Sequence, residues 1–247
     1  MADCIDAMEA TVAGLHAVER LCTANAVSRQ YPVGYKTRRK VFKDRESWLE
    51  GRENGIGASE ASAILGFSPW LSSIELWKRK AGLVTPKEIV GNAAIDRGKR
   101  MEGALRNLFA TQHPEYRVDY REFDILYQAN RPWLTATLDG ELHDENDRFG
   151  VLEIKTALCS KRTDWEKWKD QVPDYYAVQC FHQMLATGAE FVKLYAWLCN
   201  IEGDASLRTY TFERTDHKED LEYLLERETE FWGYVEKRIM PPMIITF

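Results

Sequence analysis

A mixed α/β (α+β) domain, with helices flanking a central mixed β-sheet and a helical part ahead of it, is the fold class this chain predicts. Three observations predict it. The 247 residues are 45% hydrophobic and 12% aromatic, enough to enclose one large core. Apolar residues recur at helical spacing up to Gln112, then alternate in aromatic-rich runs from Tyr116 onward. Beyond that point the order is strands, helix, strand, strand, helix, the pattern of a sheet with helices packed on it.

The elements follow in order. Ile5, Met8, Val12, Leu15, Val18 and Leu21 predict an amphipathic helix over 5–27. "SRQYPVGYKTRRK" (28–40), broken by Pro32 and Gly34 and then basic, reads as a loop. We therefore divide the chain into an N-terminal extension, 1–40, partly helical, and a single domain, 41–247. "DRESWLEGREN" predicts a short helix stopped by Gly55, and "SEASAILG" one capped by Ser59 and closed by Gly66. "SSIELWKRKAG" repeats that grammar, with Ser72 or Ser73 as cap and Gly82 as stop. Ile95, Met101, Leu105, Leu108 and Phe109 predict a long helix over 92–112. "YRVDYREFDILYQ", "WLTATLDGEL" and "FGVLEIKTAL" predict a meander of antiparallel strands. "PDYYAVQCFHQMLATG" is a helix punctuated by Pro173 and Gly188, "FVKLYAWLCNIE" and "LRTYTFERT" are strands, and a charged helix spans roughly 216–238.

Charge narrows the function classes. The chain has 33 Lys and Arg against 39 Asp and Glu, a net charge of −6, and lacks the overall basic excess of many DNA readers. Any nucleic-acid contact must be local; the basic runs Lys36–Arg45, Lys78–Lys80 and Arg97–Arg100, taken singly, read as solvated faces before phosphate sites. The five cysteines include no C-x-x-C, which argues against a disulfide framework or zinc site and fits a reducing cytoplasm. No apolar run approaches ~18 residues, so neither a membrane span nor a secretory signal is expected.

Glu153 and Lys155 lie two apart on one strand and share a face. A cross-strand or edge salt bridge is the simplest reading of such a pair. Asp139, in "TLDGEL", precedes Glu153 by fourteen positions, at the end of the preceding strand, so the three charges can converge at one sheet edge. Paired carboxylates repel unless a cation stands between them, and an oxygen-rich site suits Mg²⁺ or Mn²⁺. A lysine beside such a metal can orient or help deprotonate a bound water, or offset charge growing on a phosphorus centre. Glu102, on the long helix, could complete the shell; read alone it is one more acid on an amphipathic helix. Tyr176, Gln179 and Gln183 share a helix face, which is substrate-facing, core-facing or merely solvated on spacing alone. His182, with no second ligand to pair with, is read as structural or surface.

The ordered segments "SWLEGRENGIGASEASAILGFSPW", "DRGKRMEG", "TLDG", "LEIKT" and "YYAVQCFHQMLATG" resemble the lambda-type, YqaJ-like viral recombinase exonucleases of the PD-(D/E)xK nuclease superfamily, over about residues 45–200. The resemblance implies a restriction-endonuclease-like core. It implies that Asp139, Glu153 and the Ile154 carbonyl hold metal, that Lys155 stands beside the attacking water, and that Glu102 supports a second ion. It also implies that Gln179, with Tyr176 three before it, lines the site, and that Arg52 and Ser59 lie near the 5′-phosphate end of DNA. Arg97 is expected beside the DNA, and Leu138 replaces the family's common proline before Asp139. The implied activity is 5′→3′ digestion of one strand of linear double-stranded DNA with two Mg²⁺ ions, Mn²⁺ substituting, to leave 3′ overhangs. A homotrimeric ring and a single-strand annealing protein are the implied partners. Two alternatives compete: a RecB-like nuclease on single strands, often carrying an iron–sulfur cluster that the scattered cysteines do not supply, and a non-catalytic DNA-end-binding protein.

Overall fold

The computed structural model describes residues 36–85 and 92–244; the helix expected over 5–27 lies outside the described residues. The strands are β1 (Thr37–Val41), β2 (Ile56–Gly57), β3 (Arg117–Asp119), β4 (Asp124–Gln128), β5 (Arg131–Ala136), β6 (Gly140–His143), β7 (Phe149–Leu158), β8 (Phe191–Cys199) and β9 (Ala205–Glu213). The helices are α1 (Arg45–Arg52), α2 (Ala61–Ile64), α3 (Ser73–Lys80), α4 (Ala93–Gln112), α5 (Arg162–Glu166), α6 (Asp174–Thr187) and α7 (Lys218–Lys237).

The expected mixed sheet flanked by helices is present, but as two sheets. One has the order β1-β4-β5-β2, the other β3-β6-β7-β8-β9. The expected single meander is therefore corrected. "WLTATLDGEL" is not one strand: β5 ends at Ala136 in the first sheet and β6 begins at Gly140 in the second, so Thr137–Asp139 carries the chain between them. In the second sheet β6 and β7 are antiparallel while β7 and β8 are parallel, the crossover being made by α5 and α6. Both faces of β7 and β8 are covered, which is why they read as nearly continuous apolar runs. Leu152 and Ile154 pack toward Leu105 and Phe109 of α4; Val151, on the opposite parity, packs with Val178 and Met184 of α6.

Three further expectations change. Residues 37–41, expected as the tail of a loop, form the edge strand β1 against β4. Arg39 there bonds Asp124 of β4 and Glu141 of β6, tying the two sheets together instead of facing solvent or phosphate. Ser59 is not a helix cap: it sits exposed in a 3₁₀ turn, Ala58–Glu60, whose entry is closed by the Gly57 N–H donating to Glu60 Oε2 at 2.9 Å. The caps read at Ser72, Gly82 and Gly188 hold, with Ser72 Oγ accepting from the Glu75 N–H and both glycines at positive φ.

His182 is structural, as one of its two readings had it. It is fully enclosed, with Nδ1 2.6 Å from Glu228 Oε1 of α7 and Nε2 2.9 Å from the Thr135 carbonyl of β5. Burial pulls its pKa down, but Glu228 and the Thr135 carbonyl more than offset this and raise it above the ordinary value. The stability this pair supplies is thus complete below the unfolded value, about pH 6.5, and is lost as pH rises through the raised one. His182→Ala leaves Glu228 buried without its partner, and we expect unfolding free energy to fall by about 3–5 kcal/mol. Urea denaturation checks this; an unchanged midpoint contradicts it.

Candidate functional site

Antiparallel pairing sets the site's frame. Gly140 of β6 faces Leu152 of β7, so Asp139, one residue earlier, stands across from Glu153. Asp139 Oδ2 accepts a hydrogen bond from the Ile154 N–H at 2.7 Å, which fixes the carboxylate against the strand. Burial, then the charges of Glu153 and Glu102, push Asp139 well above the usual carboxylate range, against the pull of Lys155 and the Ile154 amide.

Glu153 is only 3% exposed and fully engaged. Its Oε1 accepts from Gln179 Nε2 at 2.6 Å and pairs with Lys155 Nζ at 2.6 Å; its Oε2 accepts from Gln183 Nε2. A buried carboxylate needs such partners, and α6 supplies two of them from one helical face. The polar stripe Tyr176, Gln179, Gln183 is therefore site-facing throughout. Lys155 Nζ also lies 4.8 Å from the Tyr176 ring centroid. Burial alone would favour the neutral amine, but Glu153 and Asp139 hold Lys155 above its ordinary pKa, as an ammonium.

Glu102 reaches this cluster from α4. Gly98 lets the start of that helix lie close to β7, since a Cβ there would meet Thr156 Oγ1 at 3.3 Å. Arg106, one turn after Glu102, donates to Glu102 Oε1 at 2.8 Å and, through Nε, to the Asp139 carbonyl. One guanidinium thus ties the helix to the strand junction. Burial raises the Glu102 pKa, opposed by Arg106 and reinforced by Glu153. Asp139, Glu153 and Lys155 are brought together, and Glu102 is tied to the Asp139 backbone through Arg106.

Arg52 and Ser59 occupy a second place, the end of α1 and the 3₁₀ turn that packs on α6. The Arg52 guanidinium lies 4.8 Å from the Trp48 ring. Its carbonyl accepts from Lys80 Nζ at 3.3 Å, and the same ammonium, with an enclosed side chain, pairs with Glu60 at 2.9 Å. Arg97 is half-buried, with Nε enclosed and without a hydrogen-bond partner among the described residues.

Gln183 and Arg106 are the site residues that sequence reasoning did not assign. Both carried a signal: Gln183 repeats Gln179 at i+4, and Arg106 follows Glu102 at i+4. The donor set is all oxygen, from Asp139, Glu153 and Glu102, with the Ile154 main chain beside them, which suits a hard cation in kind. Among the described residues no three His, Cys, Asp or Glu side chains are gathered into a ready-made metal shell.

The domain description "YqaJ-like viral recombinase domain" matches residues 47–190. The "Uncharacterized protein YqaJ" of Bacillus subtilis (strain 168) is 30% identical over 189 residues, 76% of this chain and 56% of that protein. The chain thus spans little more than half the length of that curated relative. Among solved structures, an alkaline exonuclease, LHK-Exo from Laribacter hongkongensis, superposes with a TM-score of 0.57 at 18% identity, covering 79% of this chain and 94% of that one. LHK-Exo in complex with dAMP gives 0.56 at 17% identity over the same shares. These two likenesses establish a common fold. The match over 47–190 takes in Glu102, Asp139, Glu153, Lys155, Gln179 and Gln183, and by it the chain belongs to the YqaJ-like viral recombinase family.

Proposed function

We propose that the chain is a divalent-metal-dependent 5′→3′ exonuclease that degrades one strand of linear double-stranded DNA to mononucleotides and leaves 3′ overhangs for single-strand annealing. The observation that carries this reading is the Glu153 carboxylate, buried between Gln179, Gln183 and Lys155 and facing Asp139. Family membership and the fold shared with LHK-Exo support it.

Asp139, Glu153, the Ile154 carbonyl and Glu102 would hold two Mg²⁺ ions, with Mn²⁺ as a substitute. Bound there, such ions supply Lewis-acid polarisation of the phosphodiester and a water made acidic enough to attack. The chain's own residues do the rest. Gln179 and Gln183 fix the Glu153 carboxylate, so it does not reorganise when substrate arrives. Lys155, an ammonium braced by Glu153 and Tyr176, donates to the attacking water or to a phosphoryl oxygen as negative charge grows there. Arg106 holds the Asp139 backbone and Glu102 in a single frame. Arg52 and the exposed Ser59 receive the 5′-phosphate, and Arg97 tracks the backbone.

The same reading extends to a homotrimeric ring around DNA, a single-strand annealing partner, and the cytoplasm of a bacterium or phage-infected cell. No helix among the described residues is long and apolar enough to cross a membrane. A linear duplex with a 5′-phosphate, incubated with Mg²⁺ and separately with chelator, tests the proposal. Acid-soluble mononucleotides released only with metal, from the 5′ end, are expected. Binding without product in either condition would make the chain an end-binding scaffold.

A further inference from the structure

Trp70 is 70% exposed, and Phe67 beside it is 48% exposed. An indole left in water contributes nothing to the core, yet its loop is tightly made. Gly66 turns the chain at φ 78°, the N–H groups of Phe67 and Ser68 donate to the Ser62 carbonyl, and Ser68 Oγ accepts from the N–H groups of Trp70 and Leu71. The loop then enters α3 through the Ser72 cap. Backbone order of this kind holds the Trp70 Cα in one place.

The indole packs against the tyrosines of α6 that border the acid cluster. The Trp70 ring meets Tyr175 edge-on, centroids 5.0 Å apart, and lies 6.5 Å from Tyr176. Tyr176 is the ring that carries the Lys155 ammonium at 4.8 Å. An exposed aromatic face thus stands one ring away from the group that we assign to the phosphodiester. The loop also borders a cavity of 360 Å³, lined in part by Trp70, Leu71, Ile74, Met243 and Ile244, so there is open space beside the indole.

We infer that Trp70, backed by Tyr175, is a stacking platform for an unpaired nucleobase at the strand end entering the site, an inference that rests on the nuclease reading above. A base inside a duplex has both faces covered and a terminal base has only its outer face open, so the platform acts at the strand end, where fraying frees the base to reach it. Stacking there offsets the loss of pairing and holds the adjacent phosphodiester toward Lys155. Because every base has an aromatic face, the contact favours DNA ends without favouring a sequence. Trp70 is a positioning residue in this account.

The test is a binding cycle with the full chain in chelator. One probe is a duplex whose 5′ end carries two unpaired nucleotides with bases; the other is the same duplex with those two nucleotides abasic. The unmodified chain is expected to bind the base-bearing end about 5- to 150-fold more tightly. Trp70→Ala should remove that difference by weakening only the base-bearing complex, and Trp70→Phe should keep much of it. Equal affinity of the unmodified chain for both ends overturns the inference without needing any variant. So does an equal loss on both probes with Trp70→Ala, or a change in its molar mass by light scattering, which would make Trp70 a contact between copies of the chain. Hydrolysis of the base-bearing probe with Mg²⁺ separates the two readings. Stacking without hydrolysis by the unmodified chain sinks the nuclease assignment, whereas hydrolysis without base preference sinks the platform alone.

Discussion

Lys155→Ala is expected to reduce single-turnover DNA hydrolysis by roughly 100- to 1000-fold, the scale seen when one preorganised charge is withdrawn from a transition state. The ammonium stands 2.6 Å from Glu153 and is the only cation that bonds this carboxylate among the described residues. Folding should survive the change. Glu153 keeps the Gln179 and Gln183 amides as donors, so truncating the lysine does not strand a buried carboxylate without partners. Equilibrium binding to duplex DNA should shift only a few-fold, because a single cation is lost. The measurement is hydrolysis and binding side by side on one preparation. Near-normal hydrolysis would remove Lys155 from the reaction, and loss of both activity and the cooperative unfolding transition would make it a structural residue.

Asp139→Asn should move stability and activity in opposite directions. In the metal-free chain Asp139 is held near Glu153 and Glu102, and burial with those like charges already raises its pKa. Removing its charge relieves repulsion, while an asparagine oxygen can still accept from the Ile154 N–H at the same place. We expect the metal-free variant to gain about 0.5–2 kcal/mol, and each ~1 kcal/mol raises Tm by roughly 2–4 °C in a chain of this size. Hydrolysis should fall about 100-fold or more, as one of the carboxylates proposed to hold metal is gone. Thermal unfolding with chelator and with Mg²⁺ checks this. The unmodified chain should rise in Tm on adding Mg²⁺ by mass action, whereas the variant starts higher and rises less. A variant that is less stable without metal would show that the acids are not in conflict.

Much of the fold was readable because its long elements carry strong periods. Leu105 and Phe109 mark the face of α4, and Pro173 and Gly188 bracket α6 within a residue. The reading failed where tertiary structure overrode local pattern. "TRRKV" looks like a basic loop because an edge strand exposes alternate side chains, and only pairing with β4 makes it a strand. "WLTATLDGEL" has continuous strand character, and nothing local announces that Thr137–Asp139 carries it from one sheet to another. At the site, "LEIKT" exposed Glu153 and Lys155 because charges in a buried strand stand out. Gln183 and Arg106 were harder to read: each acts through a partner distant in sequence, Glu153 for one and the Asp139 carbonyl for the other.

The proposed hydrolysis requires a cation shared by Asp139 and Glu153. Crystals grown or soaked with Mn²⁺ and recorded at an anomalous wavelength measure this directly. A manganese peak bridging the two carboxylates, with metal–oxygen distances of about 2.0–2.6 Å, is the expected result. Fully occupied manganese elsewhere on the chain, with nothing between Asp139 and Glu153 under conditions that support DNA hydrolysis, would contradict it.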